Sequence, residues 1–192
     1  MILTIPKGKH TAYTLNRAIL RVTPVCARKL RNKNLRIEGK FLSAPYDTQG
    51  DKDLRFDWSK FGGLNLNLFK EANINSIMLA FRANDEDNVW ELGLYSNKNS
   101  KIIFPDGIVS VAKDELFALE IDQIDDYTYV AGLFMREGES EVLVLESEFK
   151  FDKKLSIGGI IGPYHGGKDD NNNGLGGPAP EDVVMEFNYK FV

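Results

Sequence analysis

Asp169, Asn171, Asn173 and Gly174 spell D-x-N-x-N-G inside "GPYHGGKDDNNNGLGGPAPEDV", residues 162–183. That spacing turns alternate oxygen-bearing side chains toward one point around a glycine bend, as a calcium loop does. The twelfth position, where a bidentate Glu closes such a cage, is Pro180, with Glu181 one place later. Two expectations follow: Ca2+ held by Asp169, Asn171 and Asn173, or a solvated turn with no cofactor, because Asn and Asp tolerate left-handed backbone. "GLGGPA" in the same stretch satisfies G-x-G-x-x-A, but Pro178 and Pro180 forbid the helix that a dinucleotide fingerprint must open.

The same loop carries candidate ligand contacts. Tyr164 and His165 stand beside a glycine pair, as Trp58 does in "FDWSKFGGL", and aromatics so placed either stack on a sugar ring or pack over the turn. Asp170, Asn172, Glu181 and Asp182 add amide and carboxylate groups that suit sugar hydroxyls. Trp90 alternates with Leu92 and Leu94 and is expected in the core.

Glu120 and Asp122 project to one face of a strand, opposite Phe117, Leu119 and Ile121. A retaining glycosidase needs two carboxyls about 5 Å apart. "DQIDD", with Asp125, also reads as a hairpin turn, which makes these acids an ordinary solvent face. With only His10, His165 and Cys26 on hand, and no G-x-S-x-G or P-loop, nucleophilic and phosphoryl chemistry lack their parts.

Alternation with period two dominates the chain. In "VVMEFNYKF" the set Val183, Met185, Phe187, Tyr189 and Phe191 opposes Val184, Glu186, Asn188 and Lys190. "NLRIEGKFL" sets Leu35, Ile37 and Phe41 against Arg36, Glu38 and Lys40. "LVLESEFKF" sets Leu143, Leu145, Phe149 and Phe151 against Glu146, Glu148 and Lys150. Further strands are expected at "NSIMLAFRA", "VWELGLYS", "KIIFP", "LFALEID" and "YTYVAGLFM", joined by short turns. Only "NRAILRVTPVCARKLRNK" could hold a helix, interrupted at Pro24.

With 192 residues, 43% apolar, the chain can bury one core, and a single domain over 1–192 is expected, with 1–34 an edge segment or an arm. Residues 1–40 carry ten Lys or Arg against one acid, Glu38, and the remainder carries fourteen against twenty-seven. The basic residues are interspersed with apolar ones, so the segment is expected against its own acidic body and nucleic acid is not an expected partner. One cysteine permits no internal disulfide. No membrane span and no signal peptide is read from the sequence, which suggests a virion or cytoplasmic protein, extracellular only after loss of a signal.

"EIDQID" resembles the E-I-D-x-x-E strand of retaining hydrolases built on concanavalin A-like sandwiches, with Asp125 in place of the final Glu. "IPKGKH", "FDWSKFGGL", "SIMLAFRA", "GPYHGG" and "GGPAPEDVVMEF" resemble small bacterial and phage β-sandwich proteins of the concanavalin A-like lectin/glucanase type. The resemblance implies an all-β, two-sheet antiparallel sandwich of jelly-roll form, with binding on a curved sheet face or its rim loops.

The resulting expectation is a non-catalytic, lectin-like recognition module for a glycan or a cell-surface or virion protein, with oligomerisation open. The alternatives are a structural or decorating virion protein, and a polysaccharide hydrolase or lyase.

Overall fold

A computed structural model of the chain describes residues 1–10, 33–48, 57–67, 74–103, 105–154, 157–166 and 177–192, together with short strand backbones at 13–14, 17–18 and 22–26. Asp169, Asp170, Asn171, Asn172 and Asn173 lie outside the described residues.

All regular structure among the described residues is β. The chain opens with β1 (Ile2–Ile5), β2 (Tyr13–Thr14), β3 (Arg17–Ala18), β4 (Val22–Cys26) and β5 (Leu35–Phe41). It continues with β6 (Ser59–Asn65), β7 (Asn75–Asn84), β8 (Val89–Lys98), β9 (Lys101–Ile103) and β10 (Val109–Val111). It closes with β11 (Phe117–Gln123), β12 (Thr128–Glu137), β13 (Ser140–Lys150), β14 (Ile157–Ile161) and β15 (Val183–Phe191). The segment read as a possible helix contains β3 and β4 instead. Pro24 sits in β4 at the end of its sheet's strand order, the edge position a strand proline requires.

Two antiparallel sheets make the sandwich. The first runs β13-β12-β11-β5-β15-β1-β2-β3; the second runs β10-β8-β7-β6-β14-β4, with β9 also on β8. The residues before position 34 thus give strands to both. Between them lies a core that includes Ile5, Ile37, Phe41, Leu64, Phe81, Trp90, Leu119, Leu133 and Met185. Trp90 is fully buried, as its alternation with Leu92 and Leu94 requires, and donates Nε1–H to the Ser43 carbonyl at 3.1 Å. The β8–β9 connection is a two-residue hairpin with positive φ at Asn99 (49°) and Ser100 (65°), as a type I′ turn needs.

Alternation read from the sequence holds for β5 and β15 but breaks in β13. The register shifts between Leu133 and Phe134, which face Leu145 and Leu143. Val144 is the extra residue of that bulge, so Leu143 leaves the core side and is 44% exposed.

The first sheet's outer face is held by one guanidinium. Arg36 donates through Nε to Glu38 and through Nη1 to Glu120, both at 2.6 Å, and through Nη2 to Glu141. Glu38 also takes Lys190 at 2.8 Å.

Candidate active site

β6, β7 and β8 are buried almost throughout, on both faces. Such strands carry apolar residues on each side, and the polar residues among them stand out. Register sorts them. Lys60 faces Ala80, which faces Gly93; Gly63 faces Met78, which faces Tyr95; Asn65 faces Ser76, which faces Asn97; Arg82 faces Glu91. A bulge between Lys60 and Gly62 sends Phe61 into the core while Lys60 keeps the outer face.

At the middle of that face the Lys60 Nζ lies 4.1 Å from the centroid of the Tyr95 ring and donates to the Trp58 carbonyl. Lys60 is 9% exposed and Tyr95 3%. Burial pulls the Lys60 amine down to about 7, against the pull of nearby Asp57. Burial raises the Tyr95 phenol above its ordinary value, so it keeps its proton. An amine balanced between its two forms beside a phenol that stays protonated provides a proton acceptor and a proton donor.

Beside this pair, Arg82 lies over the Trp58 ring, Cζ to centroid 4.4 Å. Its Nε donates to Glu91 at 2.6 Å, and Asn84 Nδ2 donates to the other Glu91 oxygen at 3.0 Å. Farther along, Asn97 Nδ2 donates to Ser76 Oγ at 3.1 Å. At Gly93 the face is covered by Pro105. Gly93 has no room for a Cβ, which would meet Pro105 at 2.5 Å.

Trp58 is buried at 1% exposure and is not the exposed platform expected of it, because the Arg82 side chain covers its ring. Tyr164 is half-buried, stacks on His10 with centroids 5.6 Å apart, and pairs through its backbone with Lys60 at 2.7 and 2.8 Å. His165 is 1% exposed and therefore no surface contact. Its Nδ1 donates to the Gly177 carbonyl at 3.1 Å and its Nε2 accepts from Tyr46 at 3.1 Å, the neutral tautomer, and burial lowers it to about 4. Glu181 is exposed, and Asp182 accepts the Lys7 amide at 2.8 Å.

The carboxylates of "EIDQID" lie on the other sheet. Glu120 is taken by Arg36, and Asp125 accepts the Tyr127 and Thr128 amides at 2.7 Å as the cap of the β11–β12 turn. Among the described residues no group of three or more His, Cys, Asp or Glu could hold a metal ion.

No family model matches the sequence, and no curated protein does. Solved structures do. Scytalido-glutamic peptidase, bound to a transition state analog inhibitor, aligns over 89% of this chain and 78% of its own, at 9% identity and TM-score 0.55. An alginate lyase in complex with an alginate trisaccharide aligns over 100% of this chain and 81% of its own, at 10% identity and TM-score 0.53. The PL-14 alginate lyase from Aplysia kurodai aligns over 100% and 81%, at 14% identity and TM-score 0.51. The likeness is one of fold. It bears out the antiparallel jelly-roll sandwich, while the lectin and phage side of the resemblance finds no counterpart in these three proteins. It also corrects the expectation of a non-catalytic lectin-like module: these neighbours are enzymes, two of them polysaccharide lyases.

Lys60, Arg82 and Glu91 were not singled out in the sequence. The signal was there in another form in "SIMLAFRA", where Arg82 follows an apolar run whose lack of alternation marks both faces as buried.

Proposed function

We propose that this chain is a polysaccharide lyase that cleaves a uronate-containing chain by β-elimination on the outer face of the second sheet. The observation that carries the reading is the contact of Lys60 with Tyr95. Lys60 takes the proton at C5 of the uronate. The C5–H electron pair becomes the C4=C5 double bond as the C4–O4 bond breaks, and Tyr95 gives its proton to O4. The guanidinium of Arg82, held by Glu91, faces the uronate carboxylate and lowers the cost of the charge that develops beside C5.

The face offers an anionic chain the Arg82 guanidinium, which stays charged while Lys60 acts as a neutral base. Elimination is also favoured over hydrolysis. Two-carboxyl hydrolysis needs an acid and a separate base or nucleophile, whereas Glu91 is bound by Arg82 and Asn84. The fold neighbours whose names include alginate lyase give the reading its substrate class, alginate being a polyuronate.

The test is incubation with alginate, pectate and glucuronan, following the ultraviolet absorbance of the conjugated C4=C5 bond. Absorbance that grows with wild-type protein and not with Lys60→Ala supports the reading. No growth with any of the three polymers contradicts it.

A further inference from the structure

A cavity lies on the opposite side of β8 from Tyr95. Leu94 and Ser96, the residues on either side of Tyr95, line a cleft of about 270 Å³ between β8 and β13. Leu94, Phe149 and Phe151 form an apolar floor, each no more than 6% exposed. Ser96 is fully buried, and its Oγ has no hydrogen-bond partner among the described residues. A hydroxyl buried in this way carries an uncompensated desolvation cost, which a ligand atom in the cleft would remove.

The rim differs from the Lys60 face in charge. Lys98 and Lys150 are matched by Asp106 and Glu148, and Lys98 is already engaged by Asp152 at 3.4 Å. No surplus cation is left for an anionic ligand. Ammonium donors and carboxylate acceptors together suit hydroxyl groups, which both give and take hydrogen bonds. The apolar floor matches the C–H face of a sugar ring, and the volume falls just below the usual range of small-molecule sites, which limits the cleft to a single ring.

The geometry points to this cleft as a binding site for a single neutral pyranose unit, separate from the Lys60 face and independent of the reaction proposed there. Ser96 Oγ bonds a ring hydroxyl, the rim charges bond others, and the ring lies on Leu94 and Phe149.

Calorimetric titration of the full chain with glucose, galactose, mannose and glucuronate tests this. Saturable binding of at least one neutral sugar is expected, at least five-fold weaker in Ser96→Val, unchanged in Lys60→Ala, and weaker still or absent with glucuronate. Thermal melts accompany each variant, and Ser96→Ala and Lys98→Ala repeat the measurement should Ser96→Val not fold. The proposal is overturned if none of the neutral sugars saturates, if the Ser96 and Lys98 variants bind as wild type does, if Lys60→Ala alone loses binding, or if glucuronate binds more tightly than the neutral sugars.

Discussion

The Lys60 ammonium nitrogen lies 4.1 Å from the centroid of the Tyr95 ring, although β7 separates the two strands that carry them. The long side chain crosses the small Ala80 position to reach the ring. A cation over an aromatic face is stabilised by the ring's quadrupole, yet burial opposes the charge and dominates. Removing either partner should therefore act on chemistry more than on shape. Lys60→Ala and Tyr95→Phe are each expected to lower kcat by about 10²–10⁴-fold, the range of a positioned acid or base. KM should move far less, as steady-state kinetics on a polyuronate will show.

A second prediction concerns pH. Lys60 accepts a proton only as the neutral amine, and burial lowers its midpoint to about 7. Rate should thus rise with pH and reach half its maximum near that value. Tyr95 adds no falling limb there, since burial keeps the phenol protonated. A kcat/KM profile that is flat across this region would remove Lys60 from the role of base.

Stability carries the same signature. The unfolded chain holds the Lys60 proton up to about its ordinary 10.5, while the folded chain releases it from about 7 upward. Between those values the unfolded state binds more protons, so wild-type stability rises with pH, and the penalty of the buried cation is fullest below about 7. Lys60→Met, which fills the space without charge, is expected to stabilise at pH 6 by on the order of 2 kcal/mol. The gain should shrink at pH 9 in urea denaturation.

Arg36 is expected to be structural. It ties Glu38, Glu120 and Glu141, from β5, β11 and β13, into one cluster. Arg36→Ala leaves three carboxylates facing one another. Breaking a buried pair costs about 3–5 kcal/mol and an exposed one at most about 1. With Arg36 buried and Glu141 half-exposed, a loss of about 2 kcal/mol is expected in chemical denaturation, with elimination kinetics unchanged.

Elements with one wet face were legible in the sequence. In β15 the alternation of Val183, Met185 and Phe187 with Val184, Glu186 and Asn188 is the alternation of buried and less buried positions in the sheet. In β13 the same pattern misplaced Leu143, because a bulge at Val144 depends on the partner strand and leaves no local mark. The candidate site was hidden by a related effect. β6–β8 are covered on both faces, so Lys60 and Tyr95 interrupt apolar runs without any motif, and only register brings them to the same face. Trp58 looked like a platform because it stands beside a glycine pair, whereas Arg82, which covers its ring, belongs to a strand distant in sequence.

The most direct test of the central claim is the mass of the chain ends released from a polyuronate. Elimination by Lys60 and Tyr95 predicts fragments whose new non-reducing end is unsaturated, lighter by one water than a hydrolysis product, formed by wild type and absent with Lys60→Ala. Saturated ends, or unsaturated ends formed equally by Lys60→Ala, would contradict it.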